Sequence, residues 1–356
     1  MRQLRQYRTL AALAAVLALA LPGALWAQSQ AGNLEGRVVD SSGAALPGAT
    51  VTATNDATGL TRTETSDANG QFRFASLPVG TYRVAVDLSG FGEVVTEDVQ
   101  LNVATDRRIE VTLSQAAVEE TITVTSEPPL LVTEPAIGTV VTQNELENLP
   151  LNGRQFANLA VLAPGTSLAV NADPTKPGQL TVALAGGIGR NVNYVVDGGD
   201  NTDDTIGGAL QNFNLDAVQE FKIQTQQYKA EYGRSSGGVL TVVTKTGTNE
   251  FAGAVYGFFR DDSWAEKTPS EELAGADKQK LSREQVGVSF GGPIVVDRAH
   301  FFASYGKTDR ETFYTLDTRT ATNPGGLFPG SDGGSFPTPF EDELITAKAT
   351  WNINTR

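Results

Sequence analysis

Residues 231–248 read EYGRSSGGVLTVVTKTGT. Two readings compete for them: a glycine-rich loop cradling a phosphate, or a tight turn feeding a strand. A phosphate loop places four residues between its glycines and then Lys-Ser/Thr at once, so that backbone N–H groups and the lysine converge on one phosphate. Gly233 and Gly238 have that separation, but Val239 and Leu240 stand where the lysine and threonine belong. Lys245 arrives only after VLTVVT, an alternating β-branched run that reads as a strand and not as a helix start. The spacing argues against a phosphate site and for a structural loop, with Lys245 as a solvated strand-end charge.

The N-terminus points to export. MRQLRQYR carries three arginines and no acid, an apolar run follows from Leu10 to Leu21, and Pro22-Gly23 and ALWA lead to a cleavage position after Ala27. Leu25 at the −3 position is not small, which leaves the cut point open. The run is shorter than the roughly 20 apolar residues a membrane-spanning helix needs. Residues 1–27 therefore read as a signal peptide. Without them the chain keeps 24 basic and 41 acidic residues, a net charge of −17. Such a chain repels nucleic-acid phosphates, and no basic patch with interleaved aromatics offsets this.

Cysteine is absent, which excludes disulfides and thiolate metal sites. His300 is the single histidine, in a strand-like context, so neither a Ser-His-Asp triad nor a multi-histidine metal site is expected, and no cofactor. An enzyme is the weakest reading. After the signal no apolar stretch spans a bilayer as a helix, leaving exported soluble domains or a β-barrel, whose strands carry no continuous hydropathy signal.

From Asn33 to Ser114 short alternating runs are separated by turn residues. Val38, Val51, Phe72, Phe74, Tyr82, Val84, Val86, Ile109, Val111 and Leu113 fall on one set of faces, as in a sandwich of about seven strands. Gly43, Gly70 and Gly80 sit where hairpins need a residue tolerating positive φ. The arrangement GRVVDSSGAALPGATV…DANGQFRFASLPVGTYRVAV…SGF resembles the carboxypeptidase regulatory-like domain, a transthyretin-like sandwich. The resemblance implies the fold for residues 28–115 and no catalysis, since zinc-peptidase ligands are missing.

Residues 116–135 include AVEETITVTSEPPLLVTEP, where Ile122 and Val124 alternate with threonines and Pro128, Pro129 and Pro135 forbid a helix. An extended stretch of this kind is either a linker or a strand lent to a partner's sheet edge. Beyond it, candidate helices run from Gln143 to Asn148 and from Arg154 to Leu162, the second with Asn152 as a possible N-cap, and strands alternate with loops up to Thr248.

NLPLNGRQFANLAVLAPG, NYVVDGGDNTD, VQEFKIQTQQYKAEYGRSSGGVLTVVTKTGTN and VGVSFGGPI, in this order, resemble the plug domain and barrel start of TonB-dependent outer-membrane receptors, most closely the Oar-like branch. The resemblance implies a plug over residues 136–248. Gly237 and Gly238 would then allow close backbone approach, with Val239, Thr241 and Val243 on one strand face. It also implies a TonB box, an extended segment that pairs with the TonB-type energy-transducing protein. EETITVT occupies that position, with Glu120, Thr121, Ile122, Thr123 and Val124 as candidates. Asp197, Asp200, Asp203 and Asp204 could supply oxygen ligands to calcium, but they miss EF-hand spacing and read better as a plug loop facing the lumen.

After Thr248 the pattern becomes that of membrane barrel strands. Val286, Val288 and Phe290 alternate with Gln285, Gly287 and Ser289, and Phe301, Ala303 and Tyr305 form a second such row. Ile345, Ala347, Ala349, Trp351 and Ile353 form a third. The connections are long (Asp261 to Ser282), short (around Val296 to Arg298) and long again, as outer loops and inner turns would be. The 108 residues after Thr248 hold about four strands against the 22 of such transporters, so an N-terminal fragment with an incomplete barrel (249–356) is expected.

The expected protein is mainly β: a sandwich, an α+β plug and the first barrel strands, embedded in outer-membrane lipid with sandwich and plug on the periplasmic side. The expected function is TonB-dependent transport of a substrate the sequence does not identify. The alternative is a soluble periplasmic or secreted binding module without a barrel.

Overall fold

The computed structural model describes residues 31–115, 122–124, 137–148, 154–155, 160–169, 181–205, 207–228, 230, 232–267, 269–274, 277–315 and 335–352. Residues 1–27, expected to be a signal peptide, lie outside them with Asn152 and Ile353, as does the middle of the second candidate helix. Where that helix is described, residues 160–162 form a tight 3-10 turn and Arg154 is non-helical at positive φ.

Seven strands build the first unit: β1 (Ala31–Asp40), β2 (Thr50–Asn55), β3 (Thr61–Thr65), β4 (Gln71–Pro78), β5 (Gly80–Asp87), β6 (Val94–Leu101) and β7 (Asp106–Leu113). An eighth short strand, β8 (Ile122–Val124), extends one of its sheets. The sheets have orders β4-β1-β7 and β3-β2-β5-β6-β8. Period-2 alternation turns one row of each strand inward, and all ten residues expected inside are buried in one cluster. Burying each such Val, Ile, Leu or Phe contributes about 1.5–3 kcal/mol. Gly43 and Gly70 adopt φ of 84° and 74° in the hairpin turns, where a side chain would be strained.

The second unit holds β9 (Ile137–Val141), helix α1 (Gln143–Asn148), β10 (Thr166–Leu168), β11 (Val182–Leu184), β12 (Val192–Val196), β13 (Gly199–Asp200), β14 (Val218–Gln226) and β15 (Gly238–Thr244). Thr142 and Glu145 close the start of α1: the Thr142 N–H donates to the Glu145 carboxylate at 2.8 Å. The main sheet has the order β13-β12-β15-β14-β9. Its strand β15, which opens with Gly238, is central, parallel to β12 and antiparallel to β14. The sequence predicts alternation there, but every residue of β15 is buried, because both faces are covered. The glycine turn before it is structural: a Cβ on Gly238 would meet the Gln224 carbonyl oxygen at 2.5 Å, and one on Gly237 the Asn191 side chain at 2.6 Å.

The third unit is an antiparallel meander of β16 (Ala252–Asp261), β17 (Leu281–Val295), β18 (Ala299–Thr315) and β19 (Ser335–Trp351), with a short helix α2 (Pro269–Ala274) between β16 and β17. The β17–β18 turn spans only residues 296–298, against long connections at the other end. The registers stack the outward residues in rows: Phe251 and Phe301 by the turn, then Phe290 and Ala303, then Val255, Val288, Tyr305 and Ile345. Val255 is 83% exposed and Ile345 76%, whereas inward Phe302 is only 6% exposed. A four-strand sheet whose outer face carries a continuous apolar band beside the short turn, with charged residues such as Glu284, Lys307 and Glu341 beyond it, has the pattern of a wall facing lipid.

Candidate functional site

Of the five residues expected to recruit a partner strand, Glu120 and Thr121 lie outside the described residues. Ile122–Val124 pair in parallel with β6 in the register Val94↔Ile122, Val95↔Thr123 and Thr96↔Val124. The segment is thus the outermost strand of the sandwich's larger sheet. Composition alone leaves it a linker or a lent strand, and β6 (VVTEDVQL) has no sequence mark of an acceptor edge.

A seam joins the sandwich to the central unit through two charged residues of β14. Glu220 and Lys222, 6% and 5% exposed, alternate with Phe221 and meet the loop after β6. The Val103 N–H donates to Glu220 Oε1, and Lys222 Nζ donates to the Ala104 carbonyl at 2.6 Å. Burial pushes the Glu220 carboxyl up to about 7, although the Val103 N–H and the Lys222 charge both favour its ionised form.

A second seam joins the central unit to the inward face of the meander. Lys348 of β19 donates from Nζ to Asp197 Oδ1 at 3.0 Å and to the Thr244 carbonyl at 3.1 Å. Asp197 also accepts from the Thr244 N–H at 3.0 Å, so one carboxylate ties the end of β15 to the wall. Farther along, Arg154 pairs with Asp216 at 2.8 Å and lies 4.0 Å from the Phe258 ring centre and 5.3 Å from that of Tyr256. The Tyr256 hydroxyl donates to Asn214 Oδ1 at 2.9 Å.

The sandwich also touches the short turn of the wall. The Asn249 N–H donates to the Ala57 carbonyl at 2.8 Å, and its side-chain amide to Asp297 Oδ1 at 2.7 Å. His300, 1% exposed, closes this contact with Nε2 at 2.9 Å from Asn249 Oδ1, a structural role. Where the three units meet there is a cavity of about 680 Å³, lined by Asn55, Thr58, Gln219, Thr246, Ser289 and Lys348 among others. Lys245, half-buried, also borders it.

The four aspartates do not act as one ligand set. Asp197 is taken by Lys348 and Thr244, Asp200 and Asp204 both pair with Arg234, and buried Asp203 accepts the Thr205 N–H at 2.8 Å. Of these contacts, the Lys348, Arg154 and Glu220 ties have no sequence signal beyond an isolated charge within a strand or loop.

Residues 33–114 match the carboxypeptidase regulatory-like domain, and residues 243–351 match the outer membrane beta barrel domain. The chain is 28% identical over 292 residues to the TonB-dependent transporter Oar of Myxococcus xanthus, a match covering 78% of this chain and 27% of that protein. It therefore spans about a quarter of the length of the curated relative it matches. Among solved structures, the outer membrane transporter YddB from Escherichia coli superimposes with a TM-score of 0.46 at 14% identity, over 64% of this chain and 33% of that one. The siderophore receptor PirA from Acinetobacter baumannii gives a TM-score of 0.42 at 20% identity, over 62% and 30%. Superpositions at this level carry no argument about cargo. The domain matches place the chain in the outer membrane, with β16–β19 as barrel strands.

Proposed function

We propose that this chain works as part of a TonB-dependent outer-membrane receptor or transporter, performing energised uptake or transfer of a substrate still to be identified. In this reading residues 136–248 are the plug and the sandwich hangs on the periplasmic side. Residues 120–124 are the TonB box, and the partner is a TonB-type energy-transducing protein.

One observation carries the reading. The five-stranded central unit is seated on the inward face of the barrel strands by polar ties, Lys348 to Asp197 and Tyr256 to Asn214, while the opposite face of those strands carries an apolar band of Val255, Val288, Phe290 and Ile345. Polar ties can be exchanged for water at modest net cost, about 0.5–1.5 kcal/mol for a neutral bond such as Tyr256–Asn214 and about 1–3 kcal/mol for a charged one such as Lys348–Asp197. A block held this way can shift when pulled, whereas a block buried by large apolar contacts cannot.

Residues 1–356 contain no cysteine, so cysteines introduced there can be read one at a time once any others in the full-length protein are replaced. Thr123→Cys in the full-length protein should form a disulfide with single cysteines in the partner's strand-pairing segment in energised cells, and Thr63→Cys on the far strand of the sandwich should not. Equal trapping at both positions, or none anywhere in residues 120–124, would remove the TonB-box assignment.

A further inference from the structure

The sandwich itself holds residues that the transport reading assigns to the partner. The course of the chain brings them there. Gln115, just after β7, bridges Phe91, just before β6, and Ile122 then pairs with Val94, the first residue of β6. Only residues 116–121 lie between these two anchors. The backbone of Ile122–Val124 runs parallel to Val94–Thr96 and forms the last strand of the sheet. Its other edge pairs with no strand among the described residues.

β6 offers an acceptor edge of limited length. Val94 and Thr96 are buried in the sandwich and fix the start of the strand. Beyond them the ladder with β5 shifts register, and Asp98 stands exposed at a φ of 58°. Such a bulge ends regular pairing. The docked segment is therefore short, and short edge pieces with few buried contacts open at low free-energy cost. The tether works the other way. With so few residues between the anchors, the segment returns to β6 at an effective concentration on the order of millimolar. The result is a reversible hold.

We propose that the β6 edge is an internal competitor of the energy-transducing partner: it occupies residues 122–124 at rest, and the partner's strand displaces it on binding. The proposal rests on the TonB-box reading and makes the sandwich the element that sets how available that segment is. The partner wins on length, since it can pair with all of residues 120–124 while β6 pairs only through Val94–Thr96. Load acts in the same direction. The sandwich is tied to the central unit through Glu220 and Lys222 and to the wall through Asn249 and Ala57, so a pull strips the short strand from β6 before it drags the domain. Once free, the pull runs along residues 125–136 into Ile137, the first residue of β9, itself an edge strand of the central sheet.

The test titrates the full-length protein in neutral detergent, with any other cysteines replaced, against the purified periplasmic domain of the TonB-type partner. Val95 and Thr123 are register partners. Adjacent strands lie about 4.8 Å apart, within the roughly 4.4–6.8 Å between Cα positions that a disulfide bridges. The double variant Val95→Cys/Thr123→Cys, once oxidised, should bind the partner domain at least about tenfold more weakly than wild type, because little of the segment is then competent. Reductant should restore the affinity. Thr52→Cys/Thr63→Cys, which locks β2 to β3 in the same sandwich, should bind like wild type in both states. Should the Val95–Thr123 variant fail to fold, hydrogen exchange on wild type decides: amides of residues 94–96 that face β8 must exchange faster once the partner domain is saturating. Equal affinity in the oxidised and reduced forms, or unchanged exchange at residues 94–96, overturns the competition but leaves the TonB-box assignment standing, with the partner on the outer edge of β8. A folded variant that never cross-links shows that residue 123 does not rest on β6 and overturns it too. Binding by neither form nor by wild type removes the TonB-box assignment and the competition with it.

Discussion

Lys348 and Asp197, 151 residues apart in sequence, meet at 3.0 Å where the last described barrel strand touches the central unit. The lysine also donates to the Thr244 carbonyl at the end of β15. One ammonium thus holds a carboxylate and a strand terminus together at the cavity where the three units join.

Removing this tie should loosen the seat. Lys348→Met leaves Asp197 without its cation while Thr244 still donates to it, and a loss of about 1–3 kcal/mol is expected for a partly buried charged hydrogen bond. Asp197→Asn should cost a similar amount, and the double variant less than the sum, because the two residues form one interaction. Limited proteolysis in detergent reads this as faster cleavage in residues 197–205. Additive effects in the double variant would show that the pair is not coupled.

Glu220 should make the seam between the sandwich and the central unit sensitive to pH. Its carboxyl is raised to about 7 from the ordinary 4.5 by burial. Between these values the folded protein holds a proton that the unfolded chain has released, so stability from this group is full below about 4.5 and is lost as pH rises through 7. The whole change amounts to about 3 kcal/mol. Glu220→Gln keeps an acceptor for the Val103 N–H and should flatten this part of the profile, gaining on the wild type above about pH 7. Melting temperatures measured from about pH 5 to about pH 8 for both proteins check it. Parallel curves would exclude a role for Glu220.

Gly238 should not tolerate a side chain. A Cβ there meets the Gln224 carbonyl oxygen at 2.5 Å and Leu184 Cδ1 at 2.4 Å, and the first is backbone that cannot swing away. Gly238→Ala should cost about 1–3 kcal/mol through forced separation of β14 from β15. Gly43→Ala meets nothing within 4 Å, and its cost comes only from its positive φ. Gly238 also sits at positive φ, so a loss at Gly238→Ala no larger than that at Gly43→Ala, compared by thermal melting, would rule out the steric contribution.

The pairing of β8 with β6 should be visible in hydrogen exchange. Amides of residues 122–124 that donate to the ladder should exchange at least about tenfold more slowly than in a free peptide of the same sequence. Exchange at the free-peptide rate would show that this segment is not held by the sandwich in solution.

What the sequence determined by itself are the features that local periodicity encodes. Alternation through Val38, Phe72, Phe74, Tyr82, Val84 and Val86 marks the sandwich core residue by residue, since period 2 leaves each strand a single burial choice. The same rule distinguishes the outward Val286, Val288 and Phe290 from the inward Gln285 and Ser289, and loop lengths distinguish one end of the wall from the other. The fate of EYGRSSGGVLTVVTKTGT was legible too, because a misplaced lysine excludes a phosphate loop without any knowledge of the fold.

Tertiary structure alone decided which edges and charges meet. That β15 is buried on both faces, that β8 lies along β6, and that Glu220 reaches Val103 across 117 residues all depend on register between distant segments. No local pattern carries that information, because a strand's alternation fixes which side chains turn inward but is the same for every partner it could pair with.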